Sequence, residues 1–419
     1  MNYLLLLAIK SAWNRRFTLC LTVIAIGISV TMLLGVERLR TQTHENFSHS
    51  ISKTDLVVGA RTHPVQLMLY AVFRIGGATN NMRWDSYQQV ANNPMVAWTI
   101  PISLGDSHHG FPVLGTTADY FEHFHYGDAQ KLAFLQGKPF NALFDVVLGS
   151  EVALQRGYQL GDAITLSHGI HTDGPEHKNK PFTVVGILAP TGTPVDRTVH
   201  VSLEAINAVH LDWVGGTPMP GFSIPAKHVK KFDLAPKEIT ATLVGLKNRA
   251  AVFKVQRELN NYDEEPLIGV MPGVALEQLW QVVNVADKTL KAVSALVVVV
   301  GLSGLIAVVL AGLNERRREL AILRSVGAKP RDVFLLLSSE GLFITLSGIL
   351  FGLVLLTTLA VFLAPIVQTH YGMALNATTV SLDELKLLTM VLGVGLLASV
   401  VPGYRAYKLS LVDGLTPKI

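Results

Sequence analysis

Four long apolar segments dominate the hydrophobic pattern of this chain. Residues 17–35, 292–313 and 387–404 contain no Asp, Glu, Lys or Arg. Residues 333–368 contain a single charged side chain, that of Glu340. A helix that spans a membrane needs about 20 apolar residues. In lipid, a single segment can hydrogen-bond all its backbone N–H and C=O groups internally only as a helix. The pattern therefore predicts four transmembrane α-helices.

The third apolar segment is longer than a membrane requires. As an α-helix, residues 333–368 would extend about 54 Å, because each residue adds about 1.5 Å. The hydrocarbon core of a bilayer is only about 30 Å thick. We therefore expect this helix to project beyond the membrane or to break near Pro365.

Between the first two apolar segments, residues 37–287 show a mixed pattern of short strands and helices. Turn residues such as Gly157, Gly161 and Pro190 separate these elements. The mixture indicates an α+β domain, and its size favours two subdomains. The predicted strands cover residues 55–59, 96–103, 145–148, 163–167, 182–188, 199–202, 239–246 and 267–271, and the predicted helices cover residues 150–155, 203–210 and 250–260.

A helical pattern begins at Val274 and continues into the second apolar segment. Leu276, Leu279 and Trp280 recur at three- and four-residue spacing, and residues 274–291 contain no Pro or Gly. This spacing predicts one continuous amphipathic helix, a stalk that joins the outer domain to the second span. The stalk can transmit displacement stiffly, or its apolar stripe can simply pack against the domain, and the two roles are compatible.

Basic residues are distributed unevenly around the apolar segments. Twelve Lys and Arg lie before the first segment, between the second and third, and after the fourth, whereas residues 364–384 contain none. Since cytoplasmic flanks are enriched in Lys and Arg, both termini and residues 314–332 should be cytoplasmic. Residues 37–287 contain 20 basic and 24 acidic residues, so the excess of basic residues lies outside this segment. The overall charge of +4 therefore reflects membrane topology rather than nucleic-acid binding.

These patterns predict a membrane protein with four transmembrane α-helices and a large α+β extracytoplasmic domain between helices 1 and 2. No small-residue cleavage site follows the first span, which should remain as an anchor. The predicted boundaries are an interfacial helix at 1–16, helix 1 at 17–36, the outer domain at 37–273, the stalk and helix 2 at 274–313, a cytoplasmic loop at 314–332, helix 3 at 333–368, an outer loop at 369–385, helix 4 at 386–404 and a tail at 405–419.

The chain lacks the motifs of common catalytic sites. It contains no G-x-x-x-x-G-K-[ST] phosphate loop, no H-E-x-x-H, no C-x-x-C and no G-x-S-x-G. The single cysteine, Cys20, lies in the first apolar segment, so the outer domain cannot contain a disulfide. We therefore expect no catalytic residues, and a binding surface rather than an active site.

Histidines are numerous in the outer domain. His123 and His125 would face the same side of a strand, a spacing that suits a metal ion. His168, His171 and His177 form a second group. The sequence offers no fixed third ligand, so we expect solvated histidines, no metal ion and no cofactor bound by this chain.

The segment between the second and third spans is the most informative. Leu320, Leu323 and Val326 lie on one helical face, and arginines occupy much of the remainder. Gly327 can end such a helix, and Pro330 suits the first turn of the next. A short amphipathic helix of this kind can dock into a cytosolic partner or lie on the lipid surface, and the residues alone leave both open.

Residues 315–332, together with residues 335–341, resemble the signature of the FtsX-like permease family of ABC transporters. This family includes the macrolide-exporter (MacB) and lipoprotein-releasing types. Residues 55–60 and 190–196 are also similar to such permeases, as is the layout of one span, a large outer domain and three further spans. Unlike the macrolide-exporter pattern, this chain has no fused ATPase, so the resemblance implies a separate one.

The resemblance implies a permease of the bacterial inner membrane, with a periplasmic domain, that couples ATP hydrolysis by a cytosolic ABC ATPase to work in the periplasm. ATP and Mg²⁺ would bind to that ATPase. The permease would pair with a second copy or a related permease in membrane lipid, and its substrate or partner would be a lipoprotein, a peptide or another envelope molecule. The implied coupling helix includes Arg317, Arg318, Glu319, Leu320, Ile322, Leu323, Arg324, Val326 and Gly327.

Polar and small residues within the spans are further candidates. Glu340 would lie about 10 Å inside the third span, where an unpaired carboxylate is costly. We expect a structural ion pair or a packing contact there, with proton transfer as the alternative. Gly348 and Gly352, and more weakly Gly301 and Gly304 in the second span, would permit close helix packing.

Two other classes of function compete with that of a permease. A membrane-anchored receptor or scaffold would use the outer domain for binding and the spans only as a tether. An enzyme would need a paired catalytic constellation, which the sequence does not show. A stoichiometric ATPase partner distinguishes the permease from the receptor.

Overall fold

The computed structural model describes residues 16–169, 174–214, 217–219, 221–315, 324–325, 327–371 and 381–408. These residues divide into two compact units. The helical unit comprises the described residues of Met1–Gln42, Asn284–Ile366 and Leu375–Ile419, and the sheet domain comprises those of Thr43–Val283 and Val367–Ala374. The interfacial helix expected at 1–16 lies almost wholly outside the described residues.

Ten α-helices lie within the described part of the chain, and four of them are much longer than the rest. They are α1 (Arg16–His49), α2 (Pro64–Ala71), α3 (Trp84–Ala91), α4 (Asp119–His123), α5 (Ser150–Arg156), α6 (Leu203–His210), α7 (Val252–Asn260), α8 (Pro272–Glu315), α9 (Pro330–Tyr371) and α10 (Leu382–Lys408).

Helices α1, α8, α9 and α10 are long and apolar enough to cross a membrane. Proline suits the first turn of a helix, and α8 begins at Pro272 and continues for 44 residues. The apolar side chains of the four helices form a common core that includes Ile26, Leu34, Leu305 and Ile344. The chain is thus a membrane protein with four apolar helices and an α+β domain between the first and the second.

Helix α9 contains 42 residues and continues through Pro365. The expected break near Pro365 is therefore wrong, and the proline lies within a continuous helix, as membrane helices tolerate. At the start of α9, the Asp332 carboxylate accepts a hydrogen bond from the Lys329 N–H at 2.8 Å. The contact is one half of a capping box, in which the carboxylate of the third helical residue satisfies the backbone N–H of the N-cap residue.

The described part of the sheet domain contains seventeen strands, most of them short. They are β1 (Leu56–Ala60), β2 (Met82–Arg83), β3 (Val96–His108), β4 (Phe111–Thr116), β5 (His125–Tyr126), β6 (Gln130–Lys131), β7 (Phe134–Gly137), β8 (Asp145–Leu148), β9 (Ala163–Ile164), β10 (Ser167–His168), β11 (Phe182–Leu188), β12 (Val199–Ser202), β13 (Trp213–Val214), β14 (Thr217–Pro218), β15 (Glu238–Ile239), β16 (Ala241–Leu246) and β17 (Leu267–Val270).

The main sheet has the strand order β17-β1-β16-β3-β4-β12-β8-β11-β7, with β10 beside β3 and β9 beside β11. Two of its pairs are parallel, β12 with β4 and β11 with β8. Strands from the two sequence ends of the domain lie at one end of the sheet, and strands from its middle lie at the other. The long strand β3 joins the two parts, since it pairs with β16 through one half and with β4 and β10 through the other.

Apolar side chains from both parts of the sheet are fully buried. Ile100 and Leu243 belong to one cluster, and Val146, Phe182 and Val199 belong to a second. Burial of such a side chain contributes about 1.5–3 kcal/mol to the free energy of folding. The sheet is therefore a rigid support for the polar side chains at its strand ends.

Candidate functional site

The predicted coupling helix is only partly within the described residues. Arg317, Arg318, Glu319, Leu320, Ile322, Leu323 and Val326 lie outside them. Arg324 is half-buried, and its carbonyl oxygen accepts a hydrogen bond from the Gly327 N–H at 3.1 Å. Gly327 has a φ of +107°, in the left-handed region that favours glycine where a helix ends.

Small residues allow α1 and α9 to pack closely in the helical unit. A Cβ atom at Gly348 would lie 2.6 Å from Ile26 Cγ2, and one at Gly352 would lie 2.7 Å from the carbonyl oxygen of Gly27. Both distances are too short for a Cβ atom, so both positions require glycine. Thr31 Oγ1 also lies between the same helices, in donating position to the carbonyl oxygen of Gly27 on α1 at 2.8 Å and to that of Gly352 on α9 at 3.0 Å.

The two glycines of α8 have different surroundings. A Cβ atom at Gly301 would lie 2.8 Å from Ser29 Oγ on α1. Ser29 Oγ also lies in donating position to the carbonyl oxygen of Val297 at 3.2 Å, so α1 and α8 are in polar contact. A Cβ atom at Gly304 would meet no described atom within 4 Å. Of the two, Gly301 makes the close helix contact.

Glu340 is half-buried on α9, beside a second contact built on glycine. A Cβ atom at the next residue, Gly341, would clash with Ser399 on α10. One turn further along the same interface, a Cβ atom at Gly395 would lie 2.5 Å from Thr345 Cγ2. Helices α9 and α10 therefore approach each other at positions that the sequence pattern did not single out.

A buried ion pair joins α1 to α10. Arg38 Nε donates to Glu384 Oε1 at 2.8 Å, and Arg38 Nη2 donates to Glu384 Oε2 at 3.0 Å. The two side chains are 8% and 3% exposed. Since the guanidinium matches the carboxylate with two hydrogen bonds, the pair favours one relative placement of the two helices.

A second group of charges links α1 to α8. Glu37 accepts a hydrogen bond from Arg40 Nη2 at 2.8 Å and lies 3.3 Å from Lys291 Nζ. Asp287 lies 3.7 Å from Arg40 Nε and 3.7 Å from Lys291 Nζ. Sequence analysis missed both groups of ionic contacts. The feature of the sequence that could have indicated these contacts is the position of the acidic and basic residues at the ends of otherwise apolar helices.

In the sheet domain, three histidines and one aspartate form a separate candidate site, the Asp/His cluster. Asp106 lies on β3, His168 on β10 and His210 at the end of α6, and His177 lies before β11. The potential ligand atoms of these four side chains lie within 4.8 Å of one another. Because β10 pairs with β3, His168 stands opposite Asp106 in the register.

The atoms at the centre of the Asp/His cluster are in close contact. His168 Nδ1 lies 2.9 Å from His210 Nε2 and 3.2 Å from Asp106 Oδ1. His210 Nε2 lies 3.4 Å from the same carboxylate oxygen. The ring of His177 meets that of His210 edge to face, with centroids 4.8 Å apart.

Burial and neighbouring charges shift proton affinities in the Asp/His cluster. Burial raises the pKa of Asp106, but the imidazoles of His168 and His210 outweigh it and bring the pKa to about 2. Burial lowers the pKa of His177 to about 4. Burial also lowers the pKa of His210, but the Asp106 carboxylate makes the net shift upward. Near neutral pH, Asp106 is therefore an anion and His177 a neutral imidazole.

The histidine pair singled out from the sequence does not form this cluster. His125 Nδ1 contacts the carbonyl oxygen of His123 at 2.7 Å, and the His123 ring stacks on Trp98 with centroids 5.5 Å apart. His171 lies outside the described residues. Sequence analysis missed Asp106 and His210 as neighbours of His168 and His177, because only the strand register and the end of α6 bring them together.

Comparisons with known proteins agree with the layout of the chain. A family model described as "FtsX-like permease C-terminal" matches residues 291–411, and one described as "MacB-like periplasmic core domain" matches residues 17–262. No curated protein matches the chain.

Two solved structures are similar to part of this chain. The extracellular domain of the noncanonic ABC-type transporter YknZ from Gram-positive bacteria is 11% identical with a TM-score of 0.30, covering 52% of this chain and 99% of that one. The periplasmic region of MacB from Actinobacillus actinomycetemcomitans is 10% identical with a TM-score of 0.32, covering 55% of this chain and 94% of that one.

The two family models account for most of the chain, and the core-domain model alone covers more than half of it. Permeases of this type are non-catalytic transmembrane subunits, and the family implies dimeric assembly with an ABC ATPase. The four apolar helices and the α+β domain between the first two match this arrangement. The chain therefore belongs to the FtsX/MacB-type permeases of ABC transporters, as a membrane protein with a periplasmic domain.

Proposed function

We propose that this chain is the permease subunit of a bacterial ABC transporter that couples ATP hydrolysis by a separate cytosolic ATPase to conformational work in the periplasm. The observation that carries the proposal is the match of the FtsX-like permease model and the MacB-like periplasmic core model to one chain. ATP and Mg²⁺ would bind to the partner ATPase, and this chain would supply the mechanical link.

Helix α8 supports a mechanical role. It continues without interruption for 44 residues, from Pro272 to Glu315, and so extends about 66 Å at 1.5 Å per residue. Helix α1 contacts α8 through Ser29 and through the ionic group of Glu37 and Lys291. A continuous helix braced by such contacts transmits displacement along its axis with little loss.

The point at which force enters would be the coupling helix at residues 317–326. Its apolar face and flanking arginines suit a groove on a cytosolic ATPase. The bias of Lys and Arg favours a cytoplasmic location for this segment and for both termini. Closure of the ATPase would then displace the ends of α8 and α9.

The substrate would be engaged in the periplasm and would not cross the membrane through this chain. Export or extraction of a lipoprotein, a peptide or another envelope molecule is the work that we propose. The assembly would contain a second copy of the permease or a related permease, together with two copies of the ATPase. A periplasmic or lipoprotein partner would complete it.

Purification of the full chain from its native membranes tests the proposal. A stoichiometric ABC ATPase should co-purify, and its ATP hydrolysis should depend on the permease. Combined charge reversal at Arg317, Arg318 and Arg324, or Leu323→Asp alone, should weaken ATPase binding or uncouple hydrolysis from transport while membrane insertion persists. Lys227→Glu, a charge reversal at an exposed position of the sheet domain, is the matched control.

Two outcomes would contradict this assignment. If the coupling-helix variants behave like the parent protein and like Lys227→Glu, the ATPase does not dock at residues 317–326. If no ATPase accompanies the chain and none responds to it, the membrane-anchored receptor or scaffold is the better function.

A further inference from the structure

The Asp/His cluster of the sheet domain is separate in the chain from the residues to which we assign the coupling of ATP hydrolysis, and its geometry is that of a metal centre. Asp106 Oδ1, His168 Nδ1 and His210 Nε2 form a triangle with edges of 2.9, 3.2 and 3.4 Å. A tetrahedral zinc ion with bonds of 2.0–2.1 Å requires ligand atoms about 3.3 Å apart. The triangle therefore has the dimensions of one face of a zinc coordination tetrahedron.

Hydrogen bonds among the described residues do not explain why His177, the fourth residue of the Asp/His cluster, is buried there. His177 is 1% exposed, and neither of its ring nitrogens has a hydrogen-bond partner among the described residues. Asp106 is 4% exposed, and neither carboxylate oxygen meets the geometry of a hydrogen bond there. Leaving such buried groups unsatisfied costs free energy, because their hydration is lost and no partner replaces it. A cation that accepts their lone pairs would remove this cost.

The surroundings hold the ligands in orientation. His210 Nδ1 contacts the carbonyl oxygen of Ile206 at 2.8 Å, which leaves Nε2 with its lone pair directed into the cluster. Such a hydrogen bond on the outer nitrogen is typical of histidines that bind metal. The ring of Trp213 covers His177, with centroids 4.1 Å apart.

A buried ion pair positions the two segments that carry His177 and His210. Lys180, three residues after His177, pairs with Asp212, two residues after His210, and both side chains are nearly inaccessible. Asp212 Oδ2 also accepts a hydrogen bond from the Ile224 N–H at 2.9 Å. These contacts hold the two segments together, so the histidines do not depend on a metal ion for their approach.

We propose that Asp106, His168, His177 and His210 bind one Zn²⁺ ion in the periplasmic sheet domain. Three imidazoles and one carboxylate suit zinc and similar late transition metals rather than Mg²⁺ or Ca²⁺, which prefer oxygen ligands. Four protein ligands leave no open coordination position, so the ion is structural and not catalytic. It ties strand β3 and the residues before β11 to the end of α6. This site does not depend on the proposed transport function.

Metal analysis of the full chain tests the zinc site. The protein, purified in detergent without a polyhistidine tag, is stripped with a chelator and reloaded with Zn²⁺ or Co²⁺. One tightly bound zinc per chain is expected, with a rise in the unfolding temperature on loading. Co²⁺ in the site should give the intense visible absorption of tetrahedral coordination. Failure of the wild-type protein to retain zinc, or only the weak spectrum of octahedral Co²⁺, would overturn the proposal.

Matched variants locate the ion. His177→Gln and Asp106→Asn keep the side-chain volume and should weaken zinc binding by more than about 100-fold, because even changes to outer-shell partners cost about 10- to 100-fold. The control is His123→Gln, which alters the group formed by the exposed Asp119 and Glu122 and the half-buried His123, and it should leave binding unchanged. Zinc affinity that survives both cluster variants, or that falls in the control instead, would place the ion elsewhere.

Discussion

At the scale of single residues, His200 on β12 shows how burial controls protonation. The side chain is fully buried, its Nδ1 lies 3.3 Å from the carbonyl oxygen of Val147, and its ring packs against that of Tyr120 with centroids 5.2 Å apart. Burial, aided by the charge of Arg74, lowers the pKa of His200 from 6.5 to about 3. The imidazole is therefore neutral in the folded protein at any pH of the cell envelope.

This neutral histidine predicts acid sensitivity of the sheet domain. Between about pH 6.5 and pH 3, the unfolded chain binds a proton at His200 that the folded chain does not, so stability is lost as the pH falls. The contribution approaches about 1.4 kcal/mol per pH unit in that window. His200→Asn keeps a donor for Val147 but does not titrate, and it should flatten the pH dependence of the free energy of unfolding.

Denaturant unfolding of the full chain in detergent, followed by tryptophan fluorescence from about pH 7 to about pH 4, measures this slope. His228→Asn, at an exposed position, is the control and should keep the wild-type slope. An equal slope for His200→Asn and the wild type would show that other groups cause the acid response.

At the residue scale, the sequence did not predict which side chains form the Asp/His cluster. The residue types needed for a metal site were visible, and His168 and His177 were grouped by proximity in the chain. Asp106 and His210 lie about 60 and 40 residues away from His168, and no local pattern connects positions so far apart. Strand pairing between β3 and β10, and the place where α6 ends, decided which side chains meet.

At the scale of elements, the ion pair of Arg38 and Glu384 sets the contact between α1 and α10. Glu384→Gln removes the negative charge from a partner that is 3% exposed, and with it the charge-assisted pairing of this carboxylate with the buried Arg38 guanidinium. We expect a loss of about 3–5 kcal/mol in stability, because the favourable charge interaction is lost while the cost of burying the guanidinium remains. Thermal unfolding of the full chain in detergent measures the effect.

The chain supplies a matched control one residue away. Asp383 lies 2.7 Å from Lys386, and these side chains are 57% and 77% exposed. Asp383→Asn should therefore lower stability far less than Glu384→Gln does, because solvent screens an exposed ion pair. Equal losses for Asp383→Asn and Glu384→Gln would mean that burial does not make the Arg38 pair important.

Element boundaries followed the local pattern closely where the pattern was strong. The strands predicted at 145–148, 182–188 and 199–202 and the helix at 203–210 have those bounds in the structure. Strand β4 was missed because Pro112 and Gly115 interrupt its apolar run, and it is stabilised instead by pairing with β3 and β12. Tertiary pairing outweighed local propensity at that point.

At the scale of the whole molecule, the distribution of basic residues predicts the membrane orientation. The described residue Lys329, next to the proposed coupling helix, should be cytoplasmic, and Lys247 of the sheet domain should be periplasmic; both are exposed. In a Cys20→Ser background, Lys247→Cys should react with a membrane-impermeant maleimide once the outer membrane is permeabilised. Lys329→Cys should react only after the inner membrane is opened.

The Cys20→Ser parent provides the baseline, since Cys20 is the only native thiol. The opposite result would be labelling of Lys329→Cys in cells with an intact inner membrane while Lys247→Cys is protected. It would show that the chain has the reverse orientation in the membrane and that a cytosolic ATPase cannot reach the coupling helix.

The sequence by itself determined the membrane helices, the α+β class of the domain between the first two and the family to which the chain belongs. Each of these can be identified from short continuous stretches of sequence. Hydrophobic periodicity and a signature segment are visible without knowing which distant residues they contact. Tertiary structure alone decided the ion pair of Arg38 with Glu384, the glycine contact of α9 with α10 and the Asp/His cluster. These contacts join residues that are about 40 to 350 positions apart in the chain, and only helix packing and strand register determine whether such atoms lie within bonding distance.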